Sequence, residues 1–548
     1  MSEEFMSLLK EKEADANNVS VTENGGKGYR TTGKALLDLN FSTASLRSKD
    51  ESEIIFKWNT AFAENPEYAL KWLFFARDIR EGMGERRLFR TILKWMANNN
   101  PKAISHLIIP KIMGEYGCWS DILILFDTYL EDTALYCIYQ QLKEDISNAN
   151  NNKPISLLAK WLPSINTSSS ETRKKAKKIQ ANLLITEQGY RKMLSKLRQY
   201  LKVVERQMSE NKWSEIEYDQ VPSVANIKYA RSFLKHDFKR RHNYLTQVSK
   251  GQAKINSKDL YPYQITTNVR KILEHIRHMY RVCYDYYTEM YVRKLSEYIS
   301  PDSEYLSSSQ QDELNLMEGM WKNLPNLIPS ASSILVIRDG SGSMLRSVEG
   351  TGRAIDIANS LTLYFAEHLK GAYHNTFITF SSKPEVVTIP DKINDLKSDQ
   401  IVSATLLDKM AVLSNYDDCT NTNIEATFDL ILDIAVKNHL SQDELPQNTL
   451  IVSDMEFDAA TNNPDSRVFE SIESKFKAAG YKMPRLIFWN VASRTGTIPV
   501  RKNELGVSLV SGFSIHIMNM ILSNKLDPYE VLLETLDSER YKQITYRE

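Results

Sequence analysis

At 548 residues, with 42% apolar and 25% charged side chains, the chain has the make-up of a globular protein and is too long for a single core. Its 69 Lys and Arg balance 69 Asp and Glu, so no global field selects nucleic acid, an anionic surface or an acidic substrate. The opening MSEEFMSLLKEKEADANN carries acids where a secretory signal has a basic end, no apolar run approaches about 18 residues, and Cys118, Cys137, Cys283 and Cys419 form no CxxC pair; the expectation is a reduced cytoplasmic protein with no membrane span, disulfide framework or zinc site.

Residues 1–34 are polar and glycine-containing and read as a flexible N-terminal segment. GYRTTGKA (28–35) nearly spells a phosphate-binding loop, but Ala35 stands where Ser or Thr should hold Mg²⁺, so no nucleotide is expected and the stretch reads as a loop entering the first helix. From 35 to 329 the apolar positions recur at helical spacing, as in EYALKWLFFARDI, RRLFRTILKWMANN and AISHLIIPKIMGEYGCWSDILILFDTYL, with Gly, Asn and Pro breaks between them. This is an α-helical region in which stacked helical pairs are one way to bury such faces, although no fixed period marks a repeat.

Within it, residues 171–250 hold 19 Lys and Arg against 8 Asp and Glu, a local excess of +11. Cations interleaved with leucines and aromatics fit helices with one buried and one basic stripe, which is either a solvated face or a nucleic-acid contact, and Arg173, Lys174, Lys175, Lys177, Lys178, Arg191, Lys192, Lys239, Arg240 and Arg241 are the candidate contact residues. The histidines of EHIRH (274–278) have no further ligands nearby and read as ordinary helix residues, and the tyrosine-rich run HMYRVCYDYYTEMYVRKL as core and interface. Prolines and serines in NLPNLIPSASS set a boundary near residue 330.

Residues 330–548 change character. SILVI (333–337), NTFITF (375–380), NTLIVS (448–453) and RLIFWNV (485–491) have strand length and alternate with amphipathic helical runs, which predicts an α/β, doubly wound, mainly parallel sheet. Ligands of such sheets bind at the carboxyl ends of the strands. Asp339, Ser341 and Ser343 in DGSGSM lie just past the first strand, where Gly340 and Gly342 let the backbone bend without steric cost, Asp454 directly follows TLIVS, and Thr422 in DDCTNTNIEATF enters a helix. Two carboxylates and three hydroxyls, without sulfur or imidazole, suit Mg²⁺ or Mn²⁺. Glu456 and Asp458 add an acidic cluster beside Asp454 that can also serve only to finish a loop. No GxSxG elbow surrounds the serines and no histidine flanks them, so nucleophilic catalysis is not expected.

DGSGSM, TNTNIEA and IVSDMEFD, in this order, resemble the three motifs of the von Willebrand factor A domain with its metal-ion-dependent adhesion site. The resemblance implies that Ser341 and Ser343 coordinate the metal directly, Thr422 directly or through water, and Asp339 and Asp454 mostly through waters. Arg338 departs from the pattern, which has a small or apolar residue there; an acid such as Asp458 is its expected partner. The phrases YRTTGKALLDLNF, ALKWLFFARDIREGMGERRLFR, YGCWSDIL, LLAKWLPS and VSGFS resemble an uncharacterised family in which a long helical region precedes such a domain. That architecture is similar to the TROVE-domain Ro autoantigen proteins, whose ring of helical repeats binds RNA. The resemblance implies a non-enzymatic ribonucleoprotein scaffold whose metal site takes a partner's Asp or Glu carboxylate; the alternative is a protein-interaction scaffold that uses the same site without RNA.

Overall fold

The computed structural model describes residues 2–284, 306–329, 332–348, 352–380, 383–395, 400–417, 422–459, 467–501, 506–522 and 525–548. The tyrosine-rich run beyond Tyr284 and Cys419 lie outside them. The chain forms two compact units, one of residues 1–49, 222–231 and 242–535, the other of 50–221, 232–241 and 536–548.

The first unit is built on a sheet. A hairpin, β1 (Ser20–Val21) and β2 (Lys27–Gly28), precedes β3 (Ile334–Asp339); a short pair, β4 (Ser347–Val348) and β5 (Gly352–Arg353), leads to β6 (Thr376–Phe380) and β7 (Val386–Thr388). A second pair, β8 (Lys392–Asp395) and β9 (Gln400–Ser403), is followed by β10 (Asn448–Ser453), β11 (Arg485–Asn490) and β12 (Val507–Ser511). The six-stranded sheet has the order β12-β11-β10-β3-β6-β7, parallel except for β7. All four strands read from the sequence are present; β7 and β12 are additional. Every residue of β3 is buried, as a central parallel strand covered on both faces requires. The helix Ala354–His368 crosses β3, β6 and β10, and Ile424–Lys437 packs on β6 and on the helix Val468–Ala478.

The division of the chain follows packing rather than a boundary near residue 330. The helix Pro262–Tyr284 packs on Ala354–His368, Leu406–Ser414 and Ser308–Lys322, so part of the 35–329 region completes the sheet unit. Arg270 seals that contact, its Nη2 donating to Asp356 at 2.8 Å; burial nevertheless pushes the Asp356 carboxyl up to about 6. Residues 1–34 are not all free either. Gly26 N donates to Phe457 O at 3.1 Å, Tyr29 N to Ile498 O at 2.8 Å and Ile498 N to Tyr29 O at 2.9 Å. The Tyr29 ring is covered by Arg467 at 4.1 Å and Arg501 at 4.6 Å. The helix Ala35–Phe41 then packs on β12.

The second unit is helical. Asn65 caps Pro66–Arg77 by accepting from Tyr68 N at 3.2 Å, with Pro66 in the first turn, where its missing N–H costs nothing. Trp58, Trp72, Phe74 and Phe75 fill the core. Buried charge is paired: Asp121 accepts from Arg77 Nε and from Arg90 Nε, both at 2.7 Å. Residues 536–548 close this core, with Tyr541 stacked 5.7 Å from Tyr116 and its hydroxyl donating to Asp78 at 3.0 Å. Arg540 pairs with fully buried Asp78 and with Glu115 at 3.0 Å. Among the described residues no helix is long and apolar enough to cross a membrane.

Removing one partner of a buried pair leaves the other uncompensated. Arg540→Ala is therefore expected to destabilise the helical unit by about 3–5 kcal/mol. Urea unfolding of the full chain, followed by fluorescence of Trp58 and Trp72, checks this, with a second transition from the sheet unit left in place.

Candidate metal centre at the switch point of the sheet

Along the sheet, the chain runs from β3 outward through β6 to β7, then returns to the other side of β3 with β10 and runs outward again through β11 and β12. The order therefore reverses between β3 and β10, and the crevice beyond their carboxyl ends is where open α/β sheets bind ligands. Val452 is paired with Arg338, so Ser453 and Asp454 come level with the end of β3.

Asp339 is the anchor. Its Oδ1 accepts from Ser341 N at 2.9 Å and its Oδ2 from Ser453 Oγ at 2.6 Å. Ser341 Oγ lies 2.9 Å from Ser343 Oγ, and Ser343 is also hydrogen-bonded to Asp454. The helix Ile424–Lys437 begins with Asn423 as its cap, accepting from Ala426 N at 3.0 Å. Thr422 precedes that cap and is tied to the loop after β10 by Asp458 N, which donates to Thr422 O at 3.1 Å. Asp339, Ser341, Ser343 and Asp454 thus form one hydrogen-bonded cluster, with Thr422 on the neighbouring loop.

The electrostatics are those of a site short of positive charge. Burial raises the Asp339 carboxyl above the usual carboxylate range. Burial, and then the charge of Asp339, push Asp454 up to about 7. The nearest described cation is Arg494, with Nη2 3.8 Å from Asp454 Oδ2. A divalent ion would relieve this repulsion, and the all-oxygen donor set fits Mg²⁺ or Mn²⁺. Among the described residues no three His, Cys, Asp or Glu gather in a metal-holding group, so the set depends on its hydroxyls.

Two expected features of the motif take another form. Arg338 does not meet Asp458. Successive residues of a strand point to opposite faces, and Arg338, fully buried, is turned away from the Asp339 side. Its Nη1 donates to Asp417 Oδ1 at 2.5 Å and Asn359 Oδ1 at 2.7 Å, and its Nη2 to Tyr416 O at 2.8 Å. Gly340 serves space rather than bending, since a Cβ there would lie 2.4 Å from Tyr416 O. Glu456 is a structural hub: its carboxylate accepts from Glu23 N at 2.9 Å, Arg494 N at 2.8 Å and Thr495 N at 3.0 Å.

Sequence reasoning missed the hairpin tip. Asn24 Nδ2 donates to Thr422 Oγ1 at 2.9 Å and to Glu456 O at 2.6 Å, and Glu23 pairs with Arg494 at 2.7 Å and Arg346 at 3.5 Å. ENGG (23–26) is a turn signal, but nothing local says where so short a hairpin docks. Gly26 allows the docking, because a Cβ there would lie 2.5 Å from Phe457 O.

All ten candidate RNA contacts fall in the helical unit, which holds residues 171–221 and 232–241, whereas 222–231 and 242–250 of the basic stretch belong to the sheet unit. Arg241 is fully buried, its guanidinium 4.8 Å from the Tyr218 ring and 5.1 Å from that of Phe233. It is therefore a core residue and not an RNA contact. Arg240 is held by Asp237 at 2.8 Å and by Ile216 O at 2.7 Å. Lys178 bridges Asp127 and Glu131 at 2.7 and 2.6 Å, and Lys174, Lys175 and Lys177 face Asp127, Glu171 and Glu187 at 3.4, 3.1 and 3.4 Å. Arg173 donates to Thr167 O at 2.8 Å. Arg191 and Lys192, on Glu187–Tyr200, and Lys239 are exposed.

Comparison with known proteins adds family relationships without a function. Residues 22–138 and 165–333, just over half of the chain, match a family model described as a domain of unknown function, DUF2828. Residues 333–545 match another domain of unknown function, DUF7788. The uncharacterized protein L728 of Acanthamoeba polyphaga mimivirus is 27% identical over 558 residues, covering 95% of this chain and 87% of that protein. The crystal structure of the Deinococcus radiodurans RO (RSR) protein aligns with 91% of this chain and 93% of its own at 13% identity, with a TM-score of 0.32, too low to bear on fold or function.

The raised carboxyl of Asp454 fixes the sign of a pH effect. In metal-free buffer the folded state holds this proton up to about pH 7, whereas an unfolded chain releases it near 3.9. The folded state therefore binds more protons across that window, and this group's contribution to stability falls as pH rises from about 4 to 7. Asp454→Asn is expected to remove that decline. The difference between the denaturation midpoints of wild type and variant, followed across the window, checks it.

Proposed function

Because the chain belongs to the DUF2828 family, whose description assigns no activity, its own chemistry has to carry the reading, and we propose that it is a non-enzymatic scaffold that captures an acidic group of a protein partner through a divalent cation. The observation that carries this is the convergence of Asp339, Ser341, Ser343 and Asp454, with Thr422 beside them, where the sheet order reverses. These residues would hold Mg²⁺ or Mn²⁺, and the ion would offer a Lewis-acid position to a partner's carboxylate. The donors lie at the rim of a sheet with its own apolar core, so the fold does not depend on the ion.

The helical unit is proposed to bind RNA through exposed cations of residues 171–221 and 232–241, led by Arg191 and Lys192. The lysines paired with acids can also contribute, because exposed ion pairs are worth about 0–1 kcal/mol and yield to a phosphate. That pairing, together with the buried Arg241, also favours the second reading, a protein scaffold without RNA.

Calorimetry with Mg²⁺ on the full chain is expected to give a binding heat for wild type and none for Asp339→Ala or Ser341→Ala, with far-ultraviolet circular dichroism unchanged. Equal heats in all three remove the metal reading. For RNA, filter binding across a salt series is expected to give a steep dependence, and Arg191→Gln with Lys192→Gln to lower its slope by about 1.4, at roughly 0.7 per phosphate contact for single strands. No affinity even at low salt leaves the protein scaffold.

A further inference from the structure

The N-terminal hairpin reaches the candidate metal centre from more than 300 residues away in sequence, and its fixings argue for a permanent place there. The strand pairing of β1 with β2, the backbone bonds of Gly26 to Phe457 and Tyr29 to Ile498, and the packing of Tyr29 under Arg467 and Arg501 hold it on both sides of its tip. Thr22 Oγ1 donates to Phe457 O at 2.5 Å, immediately before the tip. The tip is Glu23-Asn24.

The chemistry of each tip residue is specific. Glu456 O can only accept, so the bond it receives fixes the Asn24 amide with its NH₂ toward Thr422. The second N–H then reaches Thr422 Oγ1 and occupies one of its lone pairs, leaving the other lone pair and the hydroxyl proton for the site. Glu23 acts on the neighbouring charge. Arg494 Nη2 stands 2.7 Å from Glu23 Oε2 and 3.8 Å from Asp454 Oδ2, so the Glu23 carboxylate competes with Asp454 for the one described cation near it.

We propose that Glu23 and Asn24 are positioning residues of the metal centre: Asn24 orients the Thr422 hydroxyl, and Glu23 holds Arg494 off Asp454 so that the carboxylate stays available to a cation. This rests on the metal reading above. Groups that orient metal ligands typically change affinity 10–100-fold when removed.

The test is Mn²⁺ binding to the full-length chain, read by the loss of the free-ion paramagnetic resonance signal. Asn24→Ala and Glu23→Gln are expected to weaken Mn²⁺ by about 10-fold, the first by freeing Thr422 and the second by releasing Arg494 onto Asp454. Adding Arg494→Gln to Glu23→Gln removes the released cation and is expected to restore Mn²⁺ affinity to about that of wild type. A purely structural hairpin would move all three variants in one direction together with their melting temperatures, and that result overturns the proposal. Unchanged affinity in the three variants, with wild type binding normally, overturns it while leaving the metal reading intact. Absence of Mn²⁺ binding by wild type removes the metal reading and this proposal together.

Discussion

Two carboxylates, Asp339 and Asp454, are carried into the interior at the ends of adjacent parallel strands, and they cannot both remain charged there without help. The constraint follows from topology, because the reversal of strand order places β10 beside β3 and brings both strand ends to one crevice. The surroundings answer it in small instalments: hydroxyls of Ser343 and Ser453, the backbone of Ser341, and Arg494 at a distance. None of these supplies a full counter-charge in contact. Arg338, next to Asp339 in sequence, satisfies Asp417 on the other side of the strand, so sequence adjacency contributes little charge compensation where the charge is needed.

What could be read in advance is what is encoded locally. The four predicted strands announce themselves by short apolar runs, and the oxygen donors by motifs that sit directly on strand ends. Arg338 does take an acid, but Asp417 in place of Asp458, because a motif read as a string hides the alternation of strand faces that turns it toward Asp417, Asn359 and Tyr416. The lack of a Cβ at Gly340 makes room for a carbonyl 76 residues later in the chain, a need that nothing local in the motif displays. Arg241 looked like part of a solvated basic run, and only the folded chain shows Tyr218 and Phe233 covering it. The hairpin tip lies at the opposite extreme: two-residue strands have almost no periodicity, and the contacts that define it are long-range.

The same distinction separates the two units. Helical periodicity over 35–329 is real, but periodicity reports that a face is buried and not what buries it. Pro262–Tyr284 has the same helical periodicity as the helices of the other unit, yet it covers the helix that crosses the sheet, and Ser308–Lys322 packs on Pro262–Tyr284 and on Leu406–Ser414. A change of secondary-structure type along the sequence is therefore a poor guide to where one core ends.

The closing of the helical core by residues 536–548 has a consequence for synthesis. Chains emerge at about 5–20 residues per second, so roughly 15–60 s separate the appearance of residue 221 from that of residue 536. Throughout that interval the surfaces of Phe75 and Tyr116 that Tyr541 will cover are without their partner, and Asp78 is without Arg540. The helical unit, although most of it leaves the ribosome first, is the one finished last, and the nascent chain spends most of its synthesis with an open apolar seam of the kind that chaperones recognise.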